Sequence, residues 1–115
     1  GPVFAGRLIR YRDLVGGFYA SEQLREVYGL SRETIADILP HLAFDTSHLR
    51  LIDLNHASFR EILRHPYLEY EDVRALLRYR DVQGGFSDLE EIRESGLLSD
   101  TVYKRIQPYL RISPF

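Results

Sequence analysis

The chain has no cysteine, no methionine and no tryptophan among its 115 residues, and it has a single lysine, Lys104. Without cysteine there are no disulfide staples, thiolate zinc sites, iron–sulfur clusters or cysteine nucleophiles. Without methionine the sequence does not open at a start codon. Its Gly1-Pro2 opening is therefore expected to be the edge of a piece of something longer. No apolar run approaches the roughly 18 residues that a membrane span needs, and no signal peptide is visible. An excess of either charge is also missing. The 15 basic and 17 acidic side chains leave a net charge of −2, which speaks against a polycation that coats nucleic acid by bulk charge. Local phosphate contacts remain open.

What is present supports a folded chain. The apolar share of 44% is enough for a core. The length allows one domain or two very small ones. Fourteen arginines stand against the one lysine. Arginine suits planar, bidentate partners, and mixed charge is also the ordinary make-up of a solvated surface.

The chain repeats itself. At an offset of 68, residues 1–42 lie over 69–110 without a gap, and 16 of the 42 positions are identical. Arg10-Tyr11-Arg12-Asp13 lies over Arg78-Tyr79-Arg80-Asp81, and Gly16-Gly17-Phe18 over Gly84-Gly85-Phe86. Leu30-Ser31 lies over Leu98-Ser99, and Ile38, Pro40 and Leu42 over Ile106, Pro108 and Leu110. Residues 53–68 stand in front of the second copy, with no counterpart before the first. This predicts a helical unit lacking its opening helix over 1–42, a linker over 43–52, a complete unit over 53–110, and a tail, 111–115, that trails out through Pro114.

Local signals predict an all-α fold of short helices. Asn55 is expected to cap a helix that carries Ala57, Phe59, Ile62 and Leu63 and stops before Pro66. Val73, Leu76 and Leu77 at helical spacing predict a helix over 70–82, ended by Gly84-Gly85. Ser87 and Glu90 have the spacing of a capping box for a helix over 88–95. Ser99 is expected to cap the next helix, to about Gln107. The first copy repeats the pattern, with helices over 2–14, near 21–28 and from Ser31. Pro2 fits a first helical turn. No stretch reads as a strand.

The second copy resembles the helix-hairpin-helix domains of the competence DNA-receptor (ComEA-like) type. The residues that carry the likeness are Asp53-Leu54-Asn55, Ala57-Ser58, Glu61, Leu63, Pro66, Ala75, Tyr79-Arg80, Gly84-Gly85-Phe86, Leu89-Glu90 and Ile92. With the first copy's matches, the likeness covers nearly the whole chain. The resemblance implies two helix-hairpin-helix motifs per unit, a non-catalytic role, and binding of duplex DNA without sequence preference. It also points to the bacterial cell envelope. In that family a Gly-hydrophobic-Gly turn opens a helix, so that the backbone can approach a phosphate and the first amides of the helix point at it.

The two copies keep these parts unequally. In the second, the first hairpin reads Tyr67-Leu68-Glu69, with Glu71 and Asp72 close behind, and the other reads Leu97-Leu98-Ser99-Asp100. Acids in a first helical turn favour the helix dipole, and they stand where a phosphate would dock. In the first copy Gly1 takes the place of the turn's second glycine, Arg7 and Arg10 follow, and the other hairpin reads Gly29-Leu30-Ser31-Arg32. The predicted phosphate-binding residues are therefore Gly1, Arg7, Gly29, Leu30, Ser31 and Arg32. Gly29 and Ser31 also suit plain helix caps. The alternative is a structural or protein-interaction module that keeps the fold and has lost DNA. There a partner helix, an absent neighbouring segment or a second copy of the chain would fill the incomplete first unit. His41, His48, His56 and His65 lack ligand spacing. No cofactor, metal or small-molecule substrate is expected. Phe18 and Phe86 are expected to plug the core, Tyr11 and Tyr79 to pack and find hydroxyl partners, and Arg80 to form a salt bridge or cap a helix.

Overall fold

A computed structural model describes residues 2–115, in two compact units, Gly1–Arg50 and Leu51–Phe115. In the first unit, helix α1 spans Pro2–Val15. It stops at Gly16-Gly17, whose φ values of 93° and 100° favour glycine. Both glycine amides turn back to the Arg12 carbonyl, at 3.0 and 2.8 Å, which satisfies the helix end. A 3-10 turn, Ser21–Glu26, follows. Helix α2, Arg32–Ile38, starts where the Ser31 hydroxyl accepts the Thr34 N–H at 3.1 Å. A second 3-10 turn, Leu39–His41, is built around Pro40. The chain then returns to α1, where the Arg50 N–H donates to the Gly16 carbonyl at 2.8 Å. The segment predicted as a linker is thus folded onto the first unit. Val15, Leu24 and Val27 are buried.

The second unit opens with strand β1, Ile52–Asp53, and continues through α3 (Phe59–Leu63), α4 (Tyr70–Gln83), α5 (Glu90–Glu94) and α6 (Asp100–Ile106). A 3-10 turn, Gln107–Tyr109, leads to strand β2, Leu110–Arg111. The strands pair in parallel, Ile52 opposite Leu110 and Asp53 opposite Arg111. Leu54, Ile62, Val73, Leu76, Ile92, Ile106 and Tyr109 have no exposed surface. Burying each large apolar side chain contributes about 1.5–3 kcal/mol.

The fold is all-α apart from this two-residue pairing. The offset of 68 carries α1 onto α4, α2 onto α6, and the Pro40 turn onto the Pro108 turn, residue for residue. Gln23 Oε1 accepts the N–H groups of Tyr19 and Ala20 at 2.6 and 3.1 Å. Glu91 Oε2, 68 residues on, accepts those of Ser87 and Asp88 at 2.6 and 2.8 Å.

Several expectations are corrected. Asn55 caps no helix: Ser58 caps α3, accepting the Glu61 N–H at 3.1 Å. Asn55 is buried, with Oδ1 accepting the Phe86 N–H at 2.7 Å and Nδ2 donating to the carbonyls of Phe86 and Ser113 at 2.9 and 2.8 Å. Glu91, one residue after Glu90, caps the loop before α5, while Glu90 accepts from Arg93 at 2.6 Å. Among the described residues Arg80 neither pairs with an acid nor caps α4. Its Nη1 donates to the Leu54 and Ala57 carbonyls at 3.2 and 2.7 Å. The tail does not trail out. Ser113 Oγ donates to Asp53 Oδ2 at 2.6 Å, and Phe115 lies over Gly85, whose missing side chain leaves room for it.

Candidate nucleic-acid interface

Of the predicted phosphate-binding residues, Gly29, Leu30, Ser31 and Arg32 fall on one hairpin of the first unit, Arg7 lies on α1, and Gly1 lies outside the described residues. The hairpin joins the 3-10 turn to α2. Gly29 has a φ of 83°, and a side chain there would meet the tip of the Arg7 guanidinium. The left-handed conformation favours glycine, and the Arg7 side chain occupies the space beside it. Arg7 Nη1 reaches the Tyr28 carbonyl at 3.5 Å. Its guanidinium carbon lies 5.0 Å from the centre of the Tyr28 ring and 5.8 Å from that of Phe4, within cation–π reach of both. Tyr28 itself is 82% exposed. The structure thus brings Arg7 from α1 against the Gly29 turn.

Leu30 is half-buried and anchors the turn, and its N–H donates to the Val27 carbonyl at 3.3 Å. Ser31 is committed to the helix, accepting from Thr34 N–H and donating to Thr34 Oγ1 at 2.9 Å. Arg32 follows in the first turn of α2. It is exposed, and its side chain makes no hydrogen bond or ion pair among the described residues. Sequence reasoning missed Tyr28. Its place directly before Gly29 was the available signal.

In the second unit the first hairpin, Tyr67-Leu68-Glu69, is closed. The Glu69 N–H, at the start of α4, donates to Asp72 Oδ2 at 2.9 Å. The Tyr67 N–H donates to His65 Nδ1 at 3.1 Å, and the Leu68 N–H to the His65 carbonyl at 3.2 Å. Every amide of the Tyr67-Leu68-Glu69 turn is therefore spent inside the protein. Tyr67 and Leu68 are buried, and Arg105 stacks on the Tyr67 ring at 4.0 Å. The other hairpin turns at Gly96, φ 62°, one residue before the position matching Gly29. Asp100 occupies the place of Arg32. The offset sets Gly1, Phe4, Arg7 and Arg32 of the first unit against Glu69, Asp72, Ala75 and Asp100 of the second. Phe4 has no carboxylate with which to close a turn as Asp72 does.

The expected tyrosine partners are present. Tyr11 donates to Glu26 and Tyr79 to Glu91, each at 2.7 Å. The shared proton holds the Tyr79 hydroxyl above its usual pKa and the Glu91 carboxyl below its own. Phe86 is buried against Tyr79, with ring centres 4.8 Å apart, whereas Phe18 is only half-buried. Among the described residues no group of three or more His, Asp or Glu is placed to hold a metal ion. Among them, too, no helix is long and apolar enough to cross a membrane.

Short helices, glycine-ended turns and capped second helices define a helix-hairpin-helix protein. Residues 48–111 match the model of the helix-hairpin-helix motif family, and the chain belongs to that family. No curated protein and no solved structure matches the chain. Helix-hairpin-helix motifs are generally associated with DNA binding without sequence preference.

Proposed function

We propose that this protein binds the backbone of duplex DNA, weakly and without sequence preference, chiefly through the Gly29 hairpin. The carrying observation is the contrast at matched positions. The first unit offers Arg7 behind the glycine turn and an unpaired Arg32 on the first turn of α2. The second has Ala75 in place of Arg7, Leu97 in place of Gly29 and Asp100 in place of Arg32. Arg7, Arg32 and the hairpin amides would contact phosphate, Gly29 would let the backbone approach it, and Leu30 and Ser31 would hold the turn.

The shared element boundaries at offset 68 support reading the two units as tandem copies of one ComEA-like unit. In this reading residues 1–42 are the copy without its opening helix, 43–52 join it to the complete unit over 53–110, and 111–115 follow. The second unit serves as a scaffold that no longer binds phosphate. A protein-interaction role is the second reading, favoured by the closed amides of the Tyr67-Leu68-Glu69 turn. Amide shift mapping with a short duplex distinguishes them. Shifts centred on residues 28–33 and Arg7, alike for two unrelated sequences, support DNA binding. An unperturbed first unit rejects it.

A further inference from the structure

Tyr28 stands directly before Gly29 and is 82% exposed. It is held rather than loose. The Arg7 guanidinium carbon lies over its ring, 5.0 Å from the centre, and Arg7 Nη1 reaches the Tyr28 carbonyl at 3.5 Å. The same guanidinium is within cation–π reach of Phe4, so one cation serves two aromatic side chains. The Tyr28 hydroxyl makes no hydrogen bond among the described residues.

The exposure belongs to this place in the fold. In the second unit residues 53–68 precede the matching helix, and the matching turn, Arg93-Glu94-Ser95-Gly96, is still exposed throughout. A side chain added at Gly96, which matches Tyr28, would meet nothing within 4 Å. The turn thus stays open when an opening helix is present.

The surroundings suit an anion beside the ring. Arg32, four residues on, is exposed, and its side chain makes no hydrogen bond or ion pair among the described residues. Glu26, two residues before Tyr28, is taken up by the Tyr11 hydroxyl at 2.7 Å. An open flat ring with an unpaired cation close by in the chain matches one unit of nucleic acid, a base joined to a phosphate.

We propose that Tyr28 is a stacking platform for an unpaired base, so that the Gly29 hairpin favours duplex DNA carrying a single-stranded extension. This rests on the phosphate contact proposed above and adds what lies next to it. Bases inside a duplex stack on one another and do not reach Tyr28. A base beyond the duplex end reaches it while the duplex phosphates meet Arg32. Every base has a π-face, so the stacking adds no sequence preference.

The test compares, by anisotropy at fixed low salt, a blunt duplex, the same duplex with a short single-stranded extension, and the extension strand alone. The extended duplex is expected to bind about fivefold or more tightly than the blunt one. Tyr28→Ala is expected to bring that ratio to one, and Tyr28→Phe to keep it. A shift of Arg7 in either variant would change both affinities and leave the ratio alone. Tyr28 is exposed, so the variants keep the fold, which circular dichroism checks. The chain has no tryptophan, so Tyr28→Trp supplies a lone reporter, quenched by the extended duplex and not by the blunt one. Equal affinity for the two duplexes overturns the proposal and leaves the phosphate contact standing. So does an unchanged ratio in Tyr28→Ala. Quenching of Tyr28→Trp by the extension strand, with no binding of the blunt duplex, supports the stacking and overturns the duplex contact. Binding of no DNA overturns both.

Discussion

Asn55 holds Phe86 by both backbone groups, accepting its N–H at 2.7 Å and donating to its carbonyl at 2.9 Å, across 31 residues of sequence. The same amide reaches the Ser113 carbonyl at 2.8 Å. One buried side chain thus ties the start of the second unit to its central loop and its tail. Asn55→Ala would leave buried groups unpaired, and the expected loss is about 1–3 kcal/mol. Denaturant melting, with hydrogen exchange at the Phe86 amide as the local probe, checks this. An unchanged midpoint contradicts it.

Arg12 and Arg80 occupy matching positions and are expected to respond differently. Arg80 bridges two carbonyls inside the second unit. Its loss should cost about 1.5–3 kcal/mol, as for hydrogen bonds to charged groups. Arg12→Ala removes only an exposed contact with Asp13 and should stay within about 0.5 kcal/mol. Equal effects in the two melts would show that the environments are not different.

The tail is fastened by a pH-dependent contact. The Ser113 hydroxyl, with help from the Ser113 amide and His56, lowers the Asp53 pKa from 3.8 to about 2. The folded value is depressed, so this contribution is fully present above pH 4 and is lost as pH falls from about 4 through about 2. A carboxyl-carbon titration by NMR should place Asp53 near 2, and Ser113→Ala should move it towards 3.8. An unchanged titration in the variant contradicts the assignment.

Gly29→Ala tests the hairpin. It forces a side chain into a left-handed position and against Arg7. The expected cost is about 1–3 kcal/mol, together with displacement of Arg7 from the Tyr28 ring. Local exchange at residues 28–31 should rise. A variant as stable as the parent would mean that the turn adapts.

The ends of α1 and α4 were legible because Gly16-Gly17 and Gly84-Gly85 can only turn the chain. The Ser31 and Ser99 caps were legible because a cap is a local bond. What escaped the sequence was non-local or ambiguous by one residue. Asn55 resembles a cap until Phe86 and Ser113 arrive from 31 and 58 residues away. Glu90 and Glu91 are adjacent carboxylates, and only the path of the loop decides which one caps it. Two-residue strands are too short to leave a periodic pattern. On the interface side, the glycine turn and the neighbouring Arg32 could be read directly. The packing of Arg7 on Tyr28 and the closure of Glu69 by Asp72 needed the fold.

The central claim is that the Gly29 hairpin grips phosphate, and its most direct measurement is anisotropy of a labelled short duplex across a salt series. The parent chain is expected to bind at low salt, with log K falling by about 0.9 per phosphate for each unit of log salt. Arg32→Asp, which copies the second unit's Asp100, is expected to weaken binding and flatten that slope by about one phosphate. No binding by the parent at low salt, or the same affinity and slope in Arg32→Asp, would contradict it.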